Sequence, residues 1–102
     1  MVIDSSIRFS EPRLAAFCAQ REITELALFG SAARGELSPD SDVDLMVTFA
    51  ENAAWDLYDF AAMQEELSDI FGRRVDLVEK GTILNPYRRR TIERDLTPLY
   101  AA

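Results

Sequence analysis

The 102-residue sequence contains no histidine, only one cysteine and no long uninterrupted apolar run. The missing histidine removes the residue that most often serves as a general base or as a metal ligand. Cys18 alone cannot form an internal disulfide, which is typical of cytoplasmic proteins. A transmembrane helix needs about 20 apolar residues, and no run here reaches that length. Residues 1–13 also lack the basic and apolar regions of a signal peptide, so we expect a cytoplasmic protein.

Basic residues are scarce as well. The chain has 11 Lys and Arg against 18 Asp and Glu, which gives a net charge of -7. Proteins that bind duplex nucleic acid need basic groups to displace counterions. Nucleic acid is therefore not expected as the main partner, although a locally held tRNA end is compatible with this composition. The acidity suits a basic protein partner, and solubility alone would also explain it.

The most informative stretch of the sequence is residues 28–48, LFGSAARGELSPDSDVDLMVT. Asp42 and Asp44 stand two residues apart at the head of an apolar strand, so their side chains point to the same face. Neighbouring carboxylates repel each other, which raises one pKa or calls for a cation between them. Oxygen ligands without histidine favour a hard ion, and Mg²⁺ is the expected one.

A Gly-Ser pair, Gly30 and Ser31, ends the preceding apolar strand ten residues before Asp42. The backbone N–H groups and the hydroxyl of such a turn can cradle a phosphate. The alternatives are a plain strand-ending turn for Gly30 and a helix N-cap for Ser31. A phosphate cradle that faces paired carboxylates is the arrangement that nucleotidyl transfer requires.

The Gly-Ser pair, the ten-residue spacer and Asp-x-Asp together resemble the nucleotidyltransferase superfamily that shares the catalytic core of DNA polymerase β. The fuller string GSAARGELSPDSDVDL is similar to its smallest prokaryotic members, the MNT-type minimal nucleotidyltransferases. These are commonly paired with HEPN toxins as antitoxins. The resemblance is close over residues 26–49 and loose elsewhere. It implies an α/β (α+β) fold in which one domain, residues 1–102, has a small mixed sheet flanked by helices.

Hydrophobic patterning predicts helices at 11–21, 31–36, 53–71 and 87–96, and strands at 23–29, 43–49 and 73–79. Residues 38–41, Ser-Pro-Asp-Ser, are typical of a turn that leads into Asp42. Residues 99–102 are expected to form a short tail after Pro98. Strict alternation of helices and strands would normally favour an all-parallel sheet, whereas the resemblance implies the mixed sheet that we adopt.

Asp76 is the candidate third carboxylate, because it lies within the apolar strand sequence Val-Asp-Leu-Val. It resembles the third acidic residue that the superfamily carries on a neighbouring strand. The alternative is a solvated Asp on an exposed strand face. Asp69 and Glu79 are weaker candidates, better interpreted as surface charges.

Two groups of basic residues are also candidates. Arg34 follows Ser31 by one turn and could reach a β- or γ-phosphate, although a surface Arg is the alternative. A basic run in the last predicted helix is either a solvated helix face or a contact for nucleotide or for an acidic partner patch. Its members are Arg88, Arg89, Arg90 and Arg94.

The resemblance implies Mg²⁺-dependent transfer of AMP from ATP, with Asp42, Asp44 and Asp76 as the catalytic residues and the ligands of two Mg²⁺ ions. Gly30, Ser31 and Arg34 would bind the donor nucleotide. The implied acceptor is a hydroxyl, typically of Tyr, on a partner HEPN toxin in a hetero-oligomer. Two alternatives stay open: a non-catalytic toxin-binding antitoxin, and a nucleotidyltransferase that modifies an antibiotic and needs a partner domain.

Overall fold

The computed structural model describes residues 7–38 and 40–102. The described chain forms α1 (Glu11–Gln20), β1 (Ile23–Phe29), α2 (Gly30–Ala33), β2 (Val43–Phe49), α3 (Leu57–Phe71), β3 (Val75–Glu79), α4 (Pro86–Asp95) and β4 (Thr97–Ala101). Every helix and strand that the patterning predicts is present. In the described part of the chain, no helix has the length and apolar character to cross a membrane.

The four strands form one sheet in the order β3-β2-β1-β4. Strand β1 runs antiparallel to both of its neighbours, β2 and β4, whereas β2 and β3 are parallel. The mixed sheet that the family resemblance implies is therefore confirmed. The all-parallel sheet suggested by simple alternation is not formed.

The C-terminal segment is a strand, so the expectation of a short tail was wrong. Strand β4 pairs with β1 along the edge of the sheet, with Tyr100 opposite Leu26 and Thr97 opposite Leu28. The segment is short and contains Pro98, which lacks the N–H that a central strand would need. An edge strand tolerates this loss, because its outer side has no partner strand.

Several other boundaries differ from the prediction. Helix α2 is shorter than the predicted 31–36, and the ends of α1 and α4 are shifted by one residue. Helix α3 begins at Leu57 rather than at residue 53, because Asp56 and Asp59 form a capping box there. The Asp59 N–H donates to Asp56 at 2.8 Å, and the Asp56 N–H donates to Asp59 at 3.1 Å. Strand β3 begins at Val75 rather than at residue 73. The predicted helix end at Gly72, with φ of 66°, is confirmed.

The two faces of the sheet are packed unequally. We call the face against α1 and α3 the main face. Its apolar side chains join the large hydrophobic core, which contains Leu26, Leu28, Val43, Leu45, Val47, Val75 and Leu77 from the strands. The opposite, second face carries a separate small cluster of Phe29, Met46, Ile83 and Ile92. Because side chains alternate along a strand, the residues between the core positions of β2 and β3 lie on this second face.

Strand β3 forms the other edge of the sheet, and two of its outward N–H groups are bonded to side chains of α3. The N–H of Val75 donates to Ser68 Oγ at 3.1 Å, and the N–H of Leu77 donates to Gln64 Oε1 at 3.0 Å. Helix α3 therefore covers the main face and also satisfies two backbone donors of the edge.

Candidate active site

The three candidate carboxylates lie at one end of the sheet. Asp44 is paired with Phe29 of β1 on one side and with Asp76 of β3 on the other. Adjacent strands are about 4.8 Å apart, and laterally paired residues point to the same face. Asp44 and Asp76 are therefore neighbours on the second face. Asp42 precedes β2 at the same end, where it lies 3.9 Å from Nη1 of the exposed Arg74.

Asp44 is the carboxylate that the other charges affect most clearly. Its pKa is raised, first by burial and then by the negative charges of Asp76 and Asp42. The positive charges of Arg88 and Arg34 act in the opposite direction and lower this pKa. An ionised Asp44 is thus disfavoured in the folded chain unless more positive charge arrives.

These carboxylates fit Mg²⁺ by their chemistry, because hard oxygen donors are the ligands that this ion prefers. A bound divalent cation would also relieve the repulsion that raises the pKa of Asp44. Within residues 7–38 and 40–102, no three acidic, histidine or cysteine side chains already converge as a metal cluster. Mg²⁺ usually keeps several waters and binds through one or two carboxylates plus substrate phosphates. The three carboxylates are therefore suitable ligands for Mg²⁺, but in the described part of the chain they do not already converge on one point.

Gly30 packs directly against Asp44. Its φ of 69° lies in the left-handed region, where only glycine is unstrained. A Cβ atom at this position would also stand 2.5 Å from Asp44 Oδ2. The sequence indicates the turn but not this contact, which makes Gly30 part of the wall around the Asp44 carboxylate.

Ser31 is the second residue of α2, and it is not the N-cap. The cap position is Phe29, which makes no side-chain capping bond. The alternative interpretation of Ser31 as a cap is therefore wrong. Within the described ranges, 7–38 and 40–102, the Ser31 hydroxyl forms no hydrogen bond, so it is available to a ligand.

Arg34 is engaged by two carboxylates. Its Nη1 donates to Asp95 Oδ2 at 2.7 Å, and its Nε donates to Glu36 Oε2 at 3.1 Å. These hydrogen bonds, with Asp95 first, raise the pKa of Arg34. The ion pair with Asp95 joins α2 to the last turn of α4. Arg34 lies close enough to influence Asp44, but its guanidinium already has a structural role.

The loop that carries Asp42 is held by Arg73. Its Nη2 donates to the main-chain oxygens of Ser38 and Ser41, the latter at 3.1 Å. The hydroxyls of the two serines are 2.7 Å apart. Arg73 falls within the predicted strand 73–79, and the sequence offers no signal for the role that it has in the structure. Pro39 of the predicted turn lies outside the described residues.

The remaining charged candidates differ in their position relative to the site. The weaker acidic candidates do not join the site, since Asp69 is exposed on α3 and Glu79 pairs with Val47 at the far end of β3. Arg88 of the basic run lies on the side of α4 that Ile92 packs against the second face, and its charge lowers the pKa of Asp44. The signal in the sequence was its spacing of four residues before Ile92, which places both on one side of the helix.

Comparison with known proteins shows which family the chain belongs to. A family model described as the nucleotidyltransferase domain matches residues 12–98. The chain belongs to this family. It is therefore an enzyme of nucleotidyl transfer, and the fold of a minimal nucleotidyltransferase is confirmed.

Two curated relatives of this nucleotidyltransferase carry a more specific name. Protein adenylyltransferase MntA of Thermococcus cleftensis is 43% identical over 61 residues, which is 60% of each chain. A Methanocaldococcus jannaschii protein, MJ1379, provisionally named a protein adenylyltransferase, is 44% identical over 75 residues. That match covers 74% of this chain and 75% of the relative.

Solved structures show the same fold. One that is provisionally named a minimal nucleotidyltransferase matches with a TM-score of 0.70 and 35% identity, over 87% of this chain and 88% of that one. A toxin–antitoxin crystal structure with AMP-PNP gives a TM-score of 0.72 at 19% identity, over 91% and 74%. A tri-AMPylated HEPN toxin from Shewanella oneidensis in complex with MNT antitoxin gives 0.63 at 17%, over 90% and 70%.

Proposed function

We propose that this nucleotidyltransferase, acting as a single domain, transfers AMP from ATP to a hydroxyl of a partner HEPN toxin, typically on a Tyr side chain. By this modification it would act as the antitoxin of the pair. The observation that carries the proposal is the lateral pairing of Asp44 and Asp76 beside Gly30. The names of its relatives and structural neighbours support the donor and the kind of acceptor.

The reaction forms a bond between the acceptor oxygen and the α-phosphorus and breaks the bond from that phosphorus to the bridging oxygen, so pyrophosphate leaves. Two Mg²⁺ ions bound by Asp42, Asp44 and Asp76 would supply charge neutralisation and lower the pKa of the acceptor hydroxyl. Gly30 leaves space beside Asp44, and the free hydroxyl of Ser31 is available to the donor phosphates. Positioning and electrostatics then account for most of the catalysis.

Asp76 is the carboxylate best placed for the acceptor. It is exposed on the second face, whereas its neighbour Asp44 is half-buried. An exposed carboxylate can accept the hydrogen bond of an incoming hydroxyl and take its proton. The chain contains no histidine that could do this instead.

An acceptor on another protein suits a site of this form. Asp76 is exposed, and little of α4 is buried against the second face, since Ile92 is its one fully buried residue. A small-molecule acceptor normally needs a concave pocket that encloses most of its surface. A protein partner would bring its own surface, so we propose that the enzyme works in a hetero-oligomer with the toxin.

Intact mass spectrometry of the candidate toxin tests this proposal. After incubation with the enzyme, ATP and Mg²⁺, we expect the toxin to gain mass in steps of one AMP group. The Asp44→Asn variant should reduce the rate of transfer at least about a thousandfold, because metal-assisted charge stabilisation contributes several kcal/mol. Asp69→Asn, which removes an exposed acid of α3, is the matched control and should transfer normally.

Two results would contradict the proposal. Full transfer by Asp44→Asn would show that the assigned site is wrong. A toxin that is silenced in a stable complex without any added mass would replace the enzymatic mechanism by simple binding.

A further inference from the structure

Arg34, which the sequence predicts to bind the donor phosphates, forms ion pairs within the protein. Arg34 donates hydrogen bonds to Asp95 and Glu36, so two of its nitrogen atoms already have carboxylate partners. To bind a phosphate it would have to leave the ion pair that joins α2 to α4. A different positive side chain near Asp44 could bind a phosphate without breaking an ion pair of the fold.

Helix α4 places Arg88 on the side that faces the site. Ile92 is buried in the small cluster with Phe29 and Met46, so the side of α4 around Ile92 lies against the second face. Arg88 precedes Asp95 by seven residues, which is nearly two full turns, and the two positions lie on one line along the helix. Asp95 on that line contacts Arg34, the C-cap residue of α2. The same line therefore points toward α2 and the end of the sheet that carries Asp44.

The main chain of Arg88 is fixed by the cap of α4, whereas its guanidinium is not neutralised. Asn85 caps α4, and its Oδ1 accepts from the N–H of Tyr87 at 2.9 Å and of Arg88 at 3.2 Å. Across residues 7–38 and 40–102, no carboxylate lies within ion-pair distance of the Arg88 guanidinium. A guanidinium with its donors unused matches two oxygens of a phosphate, as a bidentate pair.

The other arginines of the basic run do not share this placement. Arg90 follows Arg88 by two residues and therefore projects from the far side of α4. Arg89 and Arg94 lie about 100° and about 120° around the helix axis from Arg88, so neither lies on the line that joins Arg88 to Asp95. We propose that Arg88, and not Arg34, is the side chain of this protein that binds the phosphates of the donor nucleotide. This inference rests on the proposed use of ATP as the donor.

Isothermal titration calorimetry with a non-hydrolysable ATP analogue and Mg²⁺ tests the inference on the full chain. We expect Arg88→Ala to weaken binding about 10- to 100-fold, the range for a hydrogen bond to a charged group. Arg88→Lys should recover part of the loss, because it restores the charge but not the planar fork. Arg90→Ala is the matched control and should bind within about twofold of the wild type. Unchanged melting temperatures would show that the variants fold.

Arg34→Ala separates the two candidate cations. Its loss of the Asp95 contact should lower the melting temperature more than Arg88→Ala does, with a smaller loss of affinity. Wild-type affinity in Arg88→Ala, or an equal loss in Arg88→Ala and Arg90→Ala, would overturn the inference while leaving ATP as the donor. A wild-type chain that does not bind the analogue would instead overturn the proposed function, and this inference with it.

Discussion

The two faces of the sheet serve different purposes, although the same strands build both. On β2, Val43, Leu45 and Val47 are fully buried in the large core of the main face. Asp44 and Met46 alternate with them and lie on the second face, where the apolar cluster contains four residues. The main face therefore supplies most of the stability, and the second face has room for charged groups. A strand period of two residues is sufficient to separate these functions within one segment.

The largest effect on stability should come from truncating a buried side chain of the main face. The same kind of truncation on the second face should cost less. Leu67→Ala removes a fully buried side chain of α3 from the main core and should lower the free energy of unfolding by about 4 kcal/mol. Ile92→Ala removes the anchor of α4 from the small cluster and should lower it by about 2 kcal/mol, since its surroundings can relax. Urea denaturation measures both, and equal losses would contradict the division between the faces.

Two separate glycine substitutions test how closely Gly30 packs against Asp44. Gly30→Ala and Gly72→Ala both force alanine into the left-handed region, which costs about 1–2 kcal/mol in each. A Cβ at Gly72 meets nothing within 4 Å, whereas a Cβ at Gly30 meets Asp44. We expect AMP transfer to fall about 100-fold in Gly30→Ala, because it displaces Asp44. Gly72→Ala should keep its activity, and similar activities in the two variants would refute the contact.

A smaller effect is expected on the folding stability that is lost when Asp44 ionises. Because the pKa of Asp44 is raised in the folded chain, the ionised form is disfavoured there. Stability is therefore lost as the pH rises from the usual pKa of Asp through the raised value. Asp44→Asn cannot ionise and should melt a few degrees higher than the wild type at pH 7. The difference should disappear below the usual Asp pKa, and a lower melting temperature at pH 7 would contradict the sign.

The smallest effect is expected at Cys18 on the main face. Burial raises the pKa of its thiol to about 12, so almost no thiolate exists at pH 8. Iodoacetamide should leave the native chain unmodified over hours, as read by intact mass, and should modify it rapidly in urea. Fast modification of the native chain would show that the main core opens far more easily than its packing indicates.

The candidate site at one end of the sheet could be proposed from the sequence because its signals are local. Gly30, Ser31, Asp42 and Asp44 lie within one short segment, and the strand period predicts a common face for the two carboxylates. Asp76 was also recognisable, since an acid inside an apolar strand is unusual. The family membership and the mixed sheet were predicted from the same residues.

What the sequence did not show depends on contacts between distant segments. Arg34 meets Asp95 only because α2 and α4 fold side by side, 61 positions apart in the chain. Strand β4 exists because β1 offers an open edge, and its own sequence with Pro98 is a weak strand signal. The side of α4 that carries Arg88 can be assigned to the second face only because Ile92 is buried there.

The hydrogen bonds from β3 to Ser68 and Gln64 have a consequence for self-association. An exposed strand edge can recruit another strand, which leads to aggregation or domain swapping. Here the N–H groups of Val75 and Leu77 are already used by α3, so a second copy cannot extend the sheet there without breaking those bonds. On the other edge, Pro98 removes one donor from β4. Both features lower the tendency of two copies of this enzyme to join their sheets edge to edge.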